Sequence, residues 1–376
     1  MKLLYVITQI TENGGVQRVI FDKLNYLVEN NSIDLIHLGS NLDTPSFYVD
    51  SRIRVHGLSL ANKSSVKSKI ENFIRSIKRF RYLVNSIKPD VIVNANTVLI
   101  SWFLPFMYKK VPKIVELHQS YDGVIIFNRD AYGENSLRSK FLMLLRNIIY
   151  PLYDKVVVLT RTDQQKWGYK NCIVIPNFTN LEPRSIQSID KNDFTFIWVG
   201  RICHQKGVDL LLDVWTQFCK IDNRCQLVVI GDGTGKYKQL LDKYLSESPY
   251  AGRLTYIPQT NNISEYYAQA SAFISTSRFE GLPLVLVEAA TMGLPIIGFN
   301  ITGNDEVIMN GQNGYLIAPY DIHAFTGKMM LLSDNSNELQ SMSVYSKEIA
   351  KRFSKKEVMD KWVNLFVSLI QTKENQ

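Results

Sequence analysis

The sequence has few cysteines, and their spacing does not indicate a metal site or a disulfide framework. No C-x-x-C pair and no Cys/His cluster at zinc spacing is present among its four cysteines, Cys172, Cys203, Cys219 and Cys225. We therefore expect reduced and mostly structural thiols.

Long hydrophobic runs are also missing. No apolar run reaches the roughly 18 residues that a membrane-spanning helix needs. The best candidate, residues 98–108, is too short and contains Ser101 and Pro105. At the amino terminus, the short apolar run of residues 3–7 leads into polar residues without a small-residue cleavage site, so it does not resemble a signal peptide. We expect a cytoplasmic protein.

What the chain does have is length and positive charge. Its 376 residues are too many for one ordinary domain and enough for two. The 43 Lys and Arg residues exceed the 35 Asp and Glu residues and give a net charge of +8. This balance favours an anionic partner: a nucleic acid, a membrane surface or a phosphate-bearing substrate. Composition does not choose among them.

Short apolar runs alternate with helical patterns along both halves of the chain. This alternation predicts an α/β protein with mostly parallel sheets and helices on both faces. A polar stretch at residues 177–193 interrupts the rhythm and predicts a linker between two doubly wound domains. Strands are expected at residues 2–8, 33–38, 53–58, 90–95, 113–117, 155–160 and 173–175, and then at 194–199, 226–230, 254–257, 272–276, 295–299 and 314–317.

The strongest motif lies at residues 277–295, SRFEGLPLVLVEAATMGLP. A turn containing Glu280 leads into a helix that starts at about Leu284, and free amides at a helix start bind anions. Glu288 follows two helical turns on. Two carboxylates beside such a site suit a ligand whose phosphates lie between hydroxyl-rich groups, since a carboxylate accepts paired hydrogen bonds from a diol. The alternative is a solvated Glu280 and a locally paired Glu288.

Two further loops follow predicted strands. In FIWVGRICHQKG, residues 196–207, Gly200 makes the turn and Arg201 and Lys206 suit a diphosphate, although two plain surface cations are the alternative. Gly14-Gly15 follows the first strand and allows close approach of a phosphate or sugar. This glycine pair is not the dinucleotide fingerprint, and the later acidic residue is not evident, which argues against a dehydrogenase.

His118 ends the strand predicted at residues 113–117, at the edge where ligands bind in such sheets. A histidine there is a candidate donor, and a satisfied structural histidine is the alternative. The glycine-rich segment at residues 230–235 is interpreted as a turn.

Together these motifs resemble the retaining nucleotide-sugar glycosyltransferases of the GT-B fold, family four (GT4), over essentially the whole chain. Glu280 and Glu288 match the E-x7-E pattern of that family, and Arg201 and Lys206 match its basic pair. Residues 14–18 match its amino-terminal glycine loop. The segment at residues 302–306 departs from the family pattern, because it has one glycine where a glycine pair is common.

The resemblance implies a fold and a domain plan. Two Rossmann-like domains would face a central crevice, with acceptor binding at residues 1–180 and nucleotide-sugar binding at residues 181–355. A helix at residues 356–376 would cross back to the first domain.

The resemblance also implies roles for the motif residues. Arg201 and Lys206 would stabilise the diphosphate leaving group. Glu280 would hold the transferred sugar, Glu288 the ribose hydroxyls, and His118 would donate to the sugar or its developing charge. The remaining donor-binding positions would be Gly15, Gly200, Gly281, Leu282, Leu284 and Val285. No metal and no cofactor are expected, because the leaving phosphate oxygen would take the acceptor proton.

A basic stripe at residues 61–90 accounts for most of the net charge. Eight cations stand against two acids there, and apolar residues recur at helical spacing. Our hypothesis is that the stripe meets anionic lipid headgroups or a lipid-linked diphosphate through Lys67, Arg75, Lys78, Arg79 and Arg81. An ordinary solvated helix is the alternative. Nucleic acid is disfavoured, because stacking aromatics and a recognition motif are absent.

The sequence thus predicts a retaining, hexosyltransferase-type glycosyltransferase, peripheral on the inner face of the cell membrane. It would move a sugar from a nucleotide sugar, a UDP-sugar first and GDP-mannose second, to a lipid-linked or saccharide acceptor in bacterial surface polysaccharide synthesis. A soluble small-molecule or protein acceptor is the alternative. A basic nucleic-acid or anionic-surface binder on the same fold is the alternative from another class.

Overall fold

A computed structural model describes residues 1–12, 14–59, 66–95, 98–133, 136–183 and 194–375, apart from the side chains of residues 66–73 and 98–99. The chain forms two compact units. The first comprises Met1–Pro176 and Val358–Gln376, and the second comprises Asn177–Glu357. The sequence predicted domain limits after residues 180 and 355.

The first unit is built on a parallel sheet that has seven strands among the described residues. Those strands are β1 (Lys2–Ile7), β2 (Ser32–His37), β3 (Arg54–Gly57), β4 (Val91–Ala95), β5 (Lys113–Glu116), β6 (Lys155–Val158) and β7 (Cys172–Val174). Their order is β3-β2-β1-β4-β5-β6-β7. The chain winds outward from β1 to β3 and returns to place β4 beside β1. Ligands of such sheets bind at this reversal, beyond the carboxyl ends of the strands.

Helices cover this first sheet, as parallel strands joined by crossovers require. They are α1 (Gly15–Leu27), α2 (Val66–Ile87), α3 (Val98–Ser101), α4 (Tyr121–Tyr132), α5 (Leu137–Ile149) and α6 (Arg161–Trp167). Two of them begin with a capping side chain: Ser120 accepts from the Gly123 amide and Thr160 accepts from the Asp163 amide. The core lies where β1, β4 and β5 meet the helices, and β1 is buried from Leu3 onward.

The second unit repeats the plan with six strands among its described residues. They are β8 (Thr195–Val199), β9 (Gln226–Ile230), β10 (Leu254–Ile257), β11 (Ala272–Ser275), β12 (Ile296–Phe299) and β13 (Gly314–Ile317). The order β10-β9-β8-β11-β12-β13 puts the reversal between β8 and β11. The predicted α/β class with two doubly wound sheets is confirmed.

The helices of the second unit are α7 (Val208–Cys219), α8 (Lys236–Glu247), α9 (Ile263–Gln269), α10 (Leu284–Thr291), α11 (Asn304–Val307), α12 (Ile322–Asp334) and α13 (Ser336–Ala350). Large aromatic side chains fill the core between the sheet and α7, among them Phe196, Trp215 and Phe218. Burying such rings contributes much of the stability of a unit of this size.

The last helix, α14 (Lys355–Glu374), packs on the first unit. Its buried face includes Val358, Trp362 and Phe366, and Lys373 pairs with Asp154 at 3.0 Å. The resemblance implied a helix at residues 356–376, and α14 lies there. None of the helices that the structure describes is both long and apolar enough to cross a membrane.

Candidate functional site

The candidate site lies at the reversal point of the second sheet. There β8 and β11 are direct neighbours, with Phe196 opposite Ala272 and Ile197 opposite Phe273. Because both strands are parallel, the loops that follow them emerge side by side at the carboxyl edge. One loop spans residues 200–207 and leads to α7, and the other spans residues 276–283 and leads to α10.

Hydrogen bonds join these two loops. The Arg278 amide donates to the Gln205 carbonyl at 2.8 Å, and Gln205 Nε2 donates to the Phe279 carbonyl at 3.1 Å. Close packing of the backbone also holds the two loops together. Gly207 has φ +64°, and a Cβ there would lie 2.1 Å from the Thr276 carbonyl oxygen. The two loops therefore act as one scaffold, which only glycine at position 207 permits.

Lys206 and Glu280 meet at this scaffold, one from each loop. Lys206 Nζ donates to Glu280 Oε1 at 2.6 Å, and the side chains are 15% and 7% exposed. An ammonium has three donors, so Lys206 keeps further donors for an anion while it binds Glu280. The second carboxylate oxygen, Oε2, lies 3.4 Å from Gln205 Nε2 and keeps capacity to accept from a hydroxyl.

Arg201 stands beside this pair on the same loop, with an exposed side chain. Its guanidinium donates to Gln205 Oε1 at 3.3 Å. The loop rests on the neighbouring glycine segment, where a Cβ at Gly231 would lie 2.0 Å from the Gly200 carbonyl oxygen. The segment at residues 230–235, which the sequence indicated as a turn, thus supports the loop that carries Arg201.

The turn before α10 is held from two sides. Asn177 Nδ2 donates to the Leu282 carbonyl at 3.1 Å. Gly303, with φ +95°, packs so closely that a Cβ would lie 2.4 Å from the Gly281 carbonyl oxygen. The single glycine of the segment at residues 302–306 is therefore explained by contact with this turn.

The start of α10 offers backbone donors. The first amide that bonds within the helix is that of Leu286, which donates to the Pro283 carbonyl at 3.1 Å. The preceding amides of Leu284 and Val285 belong to the first turn, where amides have no intrahelical acceptor. Both residues are half-buried, and the helix dipole favours an anion at this end.

Glu288 lies farther along α10 and is buried. Its Oε2 accepts a hydrogen bond of 3.0 Å from the hydroxyl of Tyr267, a fully buried residue of α9. Tyr267 therefore fixes one oxygen of this carboxylate. The sequence gave no spacing signal for Tyr267, which reaches the site from another helix.

Arg278 is a second residue that the motifs did not single out. It forms two hydrogen bonds to Asp209, of 2.9 and 2.6 Å, and a third to the His204 carbonyl. Burial alone would raise the pKa of Asp209, but the hydrogen bonds and charge of Arg278 outweigh it and lower that pKa. The pair ties the loop of Glu280 to the first turn of α7.

His118 lies in the first unit, just after β5. Its ring is buried, and neither nitrogen has a hydrogen-bond partner among the described residues. Nε2 lies 3.4 Å from Glu116 Oε1. Burial lowers the pKa of His118, and the positive charge of Lys23 lowers it further against the opposing effect of Glu116. The lowered pKa keeps this ring a neutral imidazole at pH 7, with one N–H to donate.

Glu116 binds Lys23 with both oxygens, at 2.5 and 2.6 Å. The Lys23 ammonium also lies 4.0 Å from the ring centre of Trp362 on α14. These three residues therefore form a buried cluster that reaches from α1 through β5 to the last helix, beside His118.

Gly15 begins α1, and Gly14 is its N-cap with extended backbone. Both follow β1 at the reversal point of the first sheet. The preceding Asn13 lies outside the described residues.

The structure brings nine of the predicted positions together in the second unit. They are Gly200, Arg201, Lys206, Glu280, Gly281, Leu282, Leu284, Val285 and Glu288. His118 and Gly15 lie in the first unit. Within the described parts of the chain, no group of three or more His, Cys, Asp and Glu side chains is arranged to hold a metal ion.

Most of the basic stripe at residues 61–90 lies on α2. Arg75, Lys78 and Arg81 are exposed and Arg79 is half-buried. The side chains of Lys67 and Lys69 lie outside the described ones, and Lys63 lies outside the described residues altogether.

Two Rossmann-like sheets in one chain, with the last helix on the first unit, define the GT-B class of folds. Residues 181–349 match the family model of Glycosyl transferases group 1. Together with the fold, this match confirms the predicted resemblance to glycosyltransferases of the GT-B class, while family four and a retaining mechanism stay predictions.

Relatives align with nearly the whole chain. An uncharacterized glycosyltransferase of Haemophilus influenzae is 27% identical, covering 96% of this chain and 98% of its own length. The amylovoran biosynthesis glycosyltransferase AmsD of Erwinia amylovora is also 27% identical, with coverage of 96% and 98%. A Campylobacter jejuni N-acetylgalactosaminyltransferase, whose name gives a saccharide on PP-undecaprenol as its substrate, is 22% identical, with coverage of 98% and 99%.

Solved structures share the fold at lower identity. A sucrose-phosphate synthase from Thermosynechococcus elongatus matches with a TM-score of 0.81 at 15% identity over 99% of each chain. Anabaena HepE in complex with UDP matches with a TM-score of 0.77 at 17% identity, over 98% of this chain and 100% of its own.

Proposed function

We propose that this chain is a retaining glycosyltransferase of family GT4 that takes a sugar from a nucleotide diphosphate donor, a UDP-sugar in the first place. The observation that carries the proposal is the Lys206–Glu280 pair of 2.6 Å at the start of α10, with Glu288 buried in the same helix. The UDP bound by HepE supports the choice of nucleotide.

The diphosphate is assigned to the start of α10. Its charge is balanced there by Lys206 and Arg201 and by the amides of Leu284 and Val285, so we propose that no metal is needed. The same donors stabilise the charge that grows on the diphosphate as the bond to the sugar breaks. A preorganised donor of this kind contributes most in the transition state.

The two carboxylates are assigned to the hydroxyl-rich ends of the donor. Glu280 accepts hydrogen bonds from hydroxyls of the transferred sugar. Its ion pair with Lys206 holds the sugar and the phosphate in fixed positions relative to each other. Glu288, oriented by Tyr267, accepts from the ribose hydroxyls.

In the proposed reaction, the bond between the anomeric carbon and the diphosphate oxygen breaks and a bond to the acceptor oxygen forms on the same face. The acceptor proton passes to the leaving phosphate oxygen. His118, as a neutral imidazole, donates to the sugar or to the charge that develops on it. Gly15 brings backbone close to the donor.

The acceptor is proposed to be lipid-linked, in the synthesis of a bacterial surface polysaccharide. The names of the amylovoran and PP-undecaprenol relatives support this class. The exposed cations of α2, Arg75, Lys78 and Arg81, would hold the protein at the anionic inner surface of the cell membrane. Sedimentation with anionic vesicles at low salt tests this surface, and lack of binding there would contradict it.

The donor is tested by thermal unfolding with UDP, GDP, ADP and their sugars. A cognate ligand at 100 times its Kd adds about 2.7 kcal/mol to the free energy of unfolding. We expect the UDP series to give the largest shift. The stereochemistry is tested on the product by NMR, where the anomeric configuration of the donor should be retained. An inverted product would contradict the retaining mechanism, and stabilisation by GDP-mannose alone would reassign the donor.

A further inference from the structure

The first unit contains an apolar cavity that none of the assigned roles uses. It lies between α2 and residues 100–108 and has a volume of about 510 Å³. Ligand pockets of small molecules fall in the range of about 300–1,000 Å³. The cavity is therefore large enough to hold part of a ligand.

The walls of this cavity are mainly hydrocarbon and aromatic. Leu58, Ile77, Phe80, Leu104 and Met107 form much of the lining. Among the polar residues that also line it, Ser76 Oγ donates to the Leu58 carbonyl at 3.4 Å, and Arg81 and Asn85 are exposed to solvent. An interior of this kind suits an alkyl or isoprenoid chain better than a sugar, whose hydroxyls would lack partners.

Two aromatic side chains on the same walls remain open to solvent. Phe103 is 46% exposed and Phe106 is 60% exposed. Exposed aromatic residues beside an apolar cavity are costly in water unless something covers them, and aromatic residues are favoured where protein meets lipid.

Positive charge lies on both walls of the cavity and indicates what would cover it. Exposed Arg81 of α2 lines the cavity, and the other wall, which ends at Tyr108, continues into exposed Lys109 and Lys110. Neither residues 74–89 nor residues 98–115 contain an aspartate or glutamate. A hydrocarbon chain alone would not need this charge. A lipid that ends in phosphate would place its hydrocarbon chain in the cavity and its phosphate against the cations.

The position of the cavity in the fold agrees with an acceptor role. Leu58 follows the carboxyl end of β3, and Ile100 lies on α3, the helix that follows β4. Substrates of doubly wound sheets bind at this edge. Tyr108 closes one side with φ +50°, an unusual backbone for a bulky residue, and its hydroxyl donates to the Arg81 carbonyl at 3.3 Å.

We propose that this cavity binds the hydrocarbon chain of a phosphate-bearing lipid, whose phosphate meets Arg81 of α2 and the cations of residues 109–110. As an acceptor site the proposal rests on the proposed function. As a lipid site it stands on the cavity and its charge.

The test is binding of dodecyl phosphate, below its critical micelle concentration, to the full chain by calorimetry. Methyl phosphate represents the headgroup alone and dodecyl maltoside the chain alone. We expect dodecyl phosphate to bind at least about tenfold more tightly than either one, because only it uses both features. Equal affinity for the two dodecyl compounds would overturn the role of the phosphate.

A cavity-filling variant tests the location. Ile77→Trp should weaken dodecyl phosphate binding at least about tenfold, since the indole would occupy the cavity. Ile74→Trp on the same helix, at an exposed position outside the lining, is the matched control and should bind as the parent does. Unchanged binding by a folded Ile77→Trp would overturn the proposal.

A second measurement needs no variant. A photoreactive dodecyl phosphate should label residues 74–108 of the parent protein, and labelling elsewhere would overturn the proposal. UDP binding is measured in parallel on the same samples. If UDP binds and dodecyl phosphate does not, the lipid inference fails and the donor assignment survives. If dodecyl phosphate binds and UDP does not, the donor assignment fails and the lipid inference survives.

Discussion

Each unit of this protein holds a lysine–glutamate pair, and the two pairs differ mainly in their surroundings. In the first unit, Lys23 and Glu116 are 2.5 Å apart and only 1% and 2% exposed. In the second unit, Lys206 and Glu280 are 2.6 Å apart and 15% and 7% exposed. The two pairs therefore have the same charges and nearly the same distance, and they differ in their exposure to solvent.

This difference separates a structural role from a binding role. Lys23 has no room for an added anion, because both oxygens of Glu116 and the ring of Trp362 surround its ammonium. Lys206 contacts one oxygen of Glu280 at the edge of a sheet, beside the start of α10. A buried pair mainly holds its neighbours in place, whereas a partly open pair can exchange or share its partner with a ligand.

The largest expected effect comes from breaking the buried pair. Lys23→Met should lower the free energy of unfolding by about 3–5 kcal/mol, because Glu116 would stay buried without its partner. Denaturant unfolding measures this. The double variant Lys23→Met with Glu116→Gln should recover part of the loss, since no isolated charge remains. A loss below about 1 kcal/mol in Lys23→Met would show that the pair is not structural.

Breaking the open pair should instead affect catalysis. Lys206→Ala and Glu288→Gln should each raise the transition-state free energy by about 2–4 kcal/mol, as removal of a single catalytic donor does. The measurement is kcat/KM with the cognate donor, and unfolding in denaturant is the control. Near-normal turnover in both variants would contradict the site.

A smaller effect is expected where one hydrogen bond orients a site carboxylate. Tyr267→Phe removes the donor to Glu288 and should weaken UDP binding by about 1–3 kcal/mol. Tyr315→Phe on β13 removes a hydroxyl that donates to the Glu338 carboxylate on α13 and is the matched control, which should leave UDP affinity within about twofold. Equal losses in the two variants would mean that Tyr267 acts only through packing.

The smallest expected effect is on how stability depends on pH, where two buried groups of the first unit, His118 and Asp163, act in opposite directions. Burial lowers the pKa of His118 from its ordinary 6.5, so the unfolded chain binds the proton more readily. Its contribution to stability is present above pH 6.5 and is lost as the pH falls toward the lowered pKa. Burial raises the pKa of Asp163 to about 6, so this residue favours the folded state more as the pH falls from 6 toward 3.8.

His118→Asn should therefore lose less stability than the parent between pH 6.5 and pH 5, and Asp163→Asn should lose more. Thermal unfolding across this range measures both slopes. Parallel slopes in the parent and His118→Asn would show that the imidazole is not held neutral by its surroundings.

Much of the fold could be read from local patterns. The helical spacing in the stripe at residues 61–90 corresponds to α2, and the strand predicted at residues 226–230 is β9, because such periodicities are properties of neighbouring residues. The loops that carry Arg201, Lys206 and Glu280 could be placed in the same way, since each follows a predicted strand.

The partners of those residues could not be read from the sequence. Gln205 and Phe279 are 74 residues apart, and Lys23 and Glu116 are 93 residues apart. Nothing local distinguishes Lys23 on α1 from an ordinary surface cation. Such contacts depend on which strands become neighbours, and this follows only from the whole sheet order.

The central claim is that the edge between β8 and β11 binds a nucleotide diphosphate through Lys206. Calorimetric titration of UDP and of UMP into the parent and into Lys206→Ala tests it most directly. The account predicts that the parent prefers UDP over UMP and that Lys206→Ala loses most of this preference while UMP affinity changes little. Equal preference for UDP in the two proteins would contradict the account.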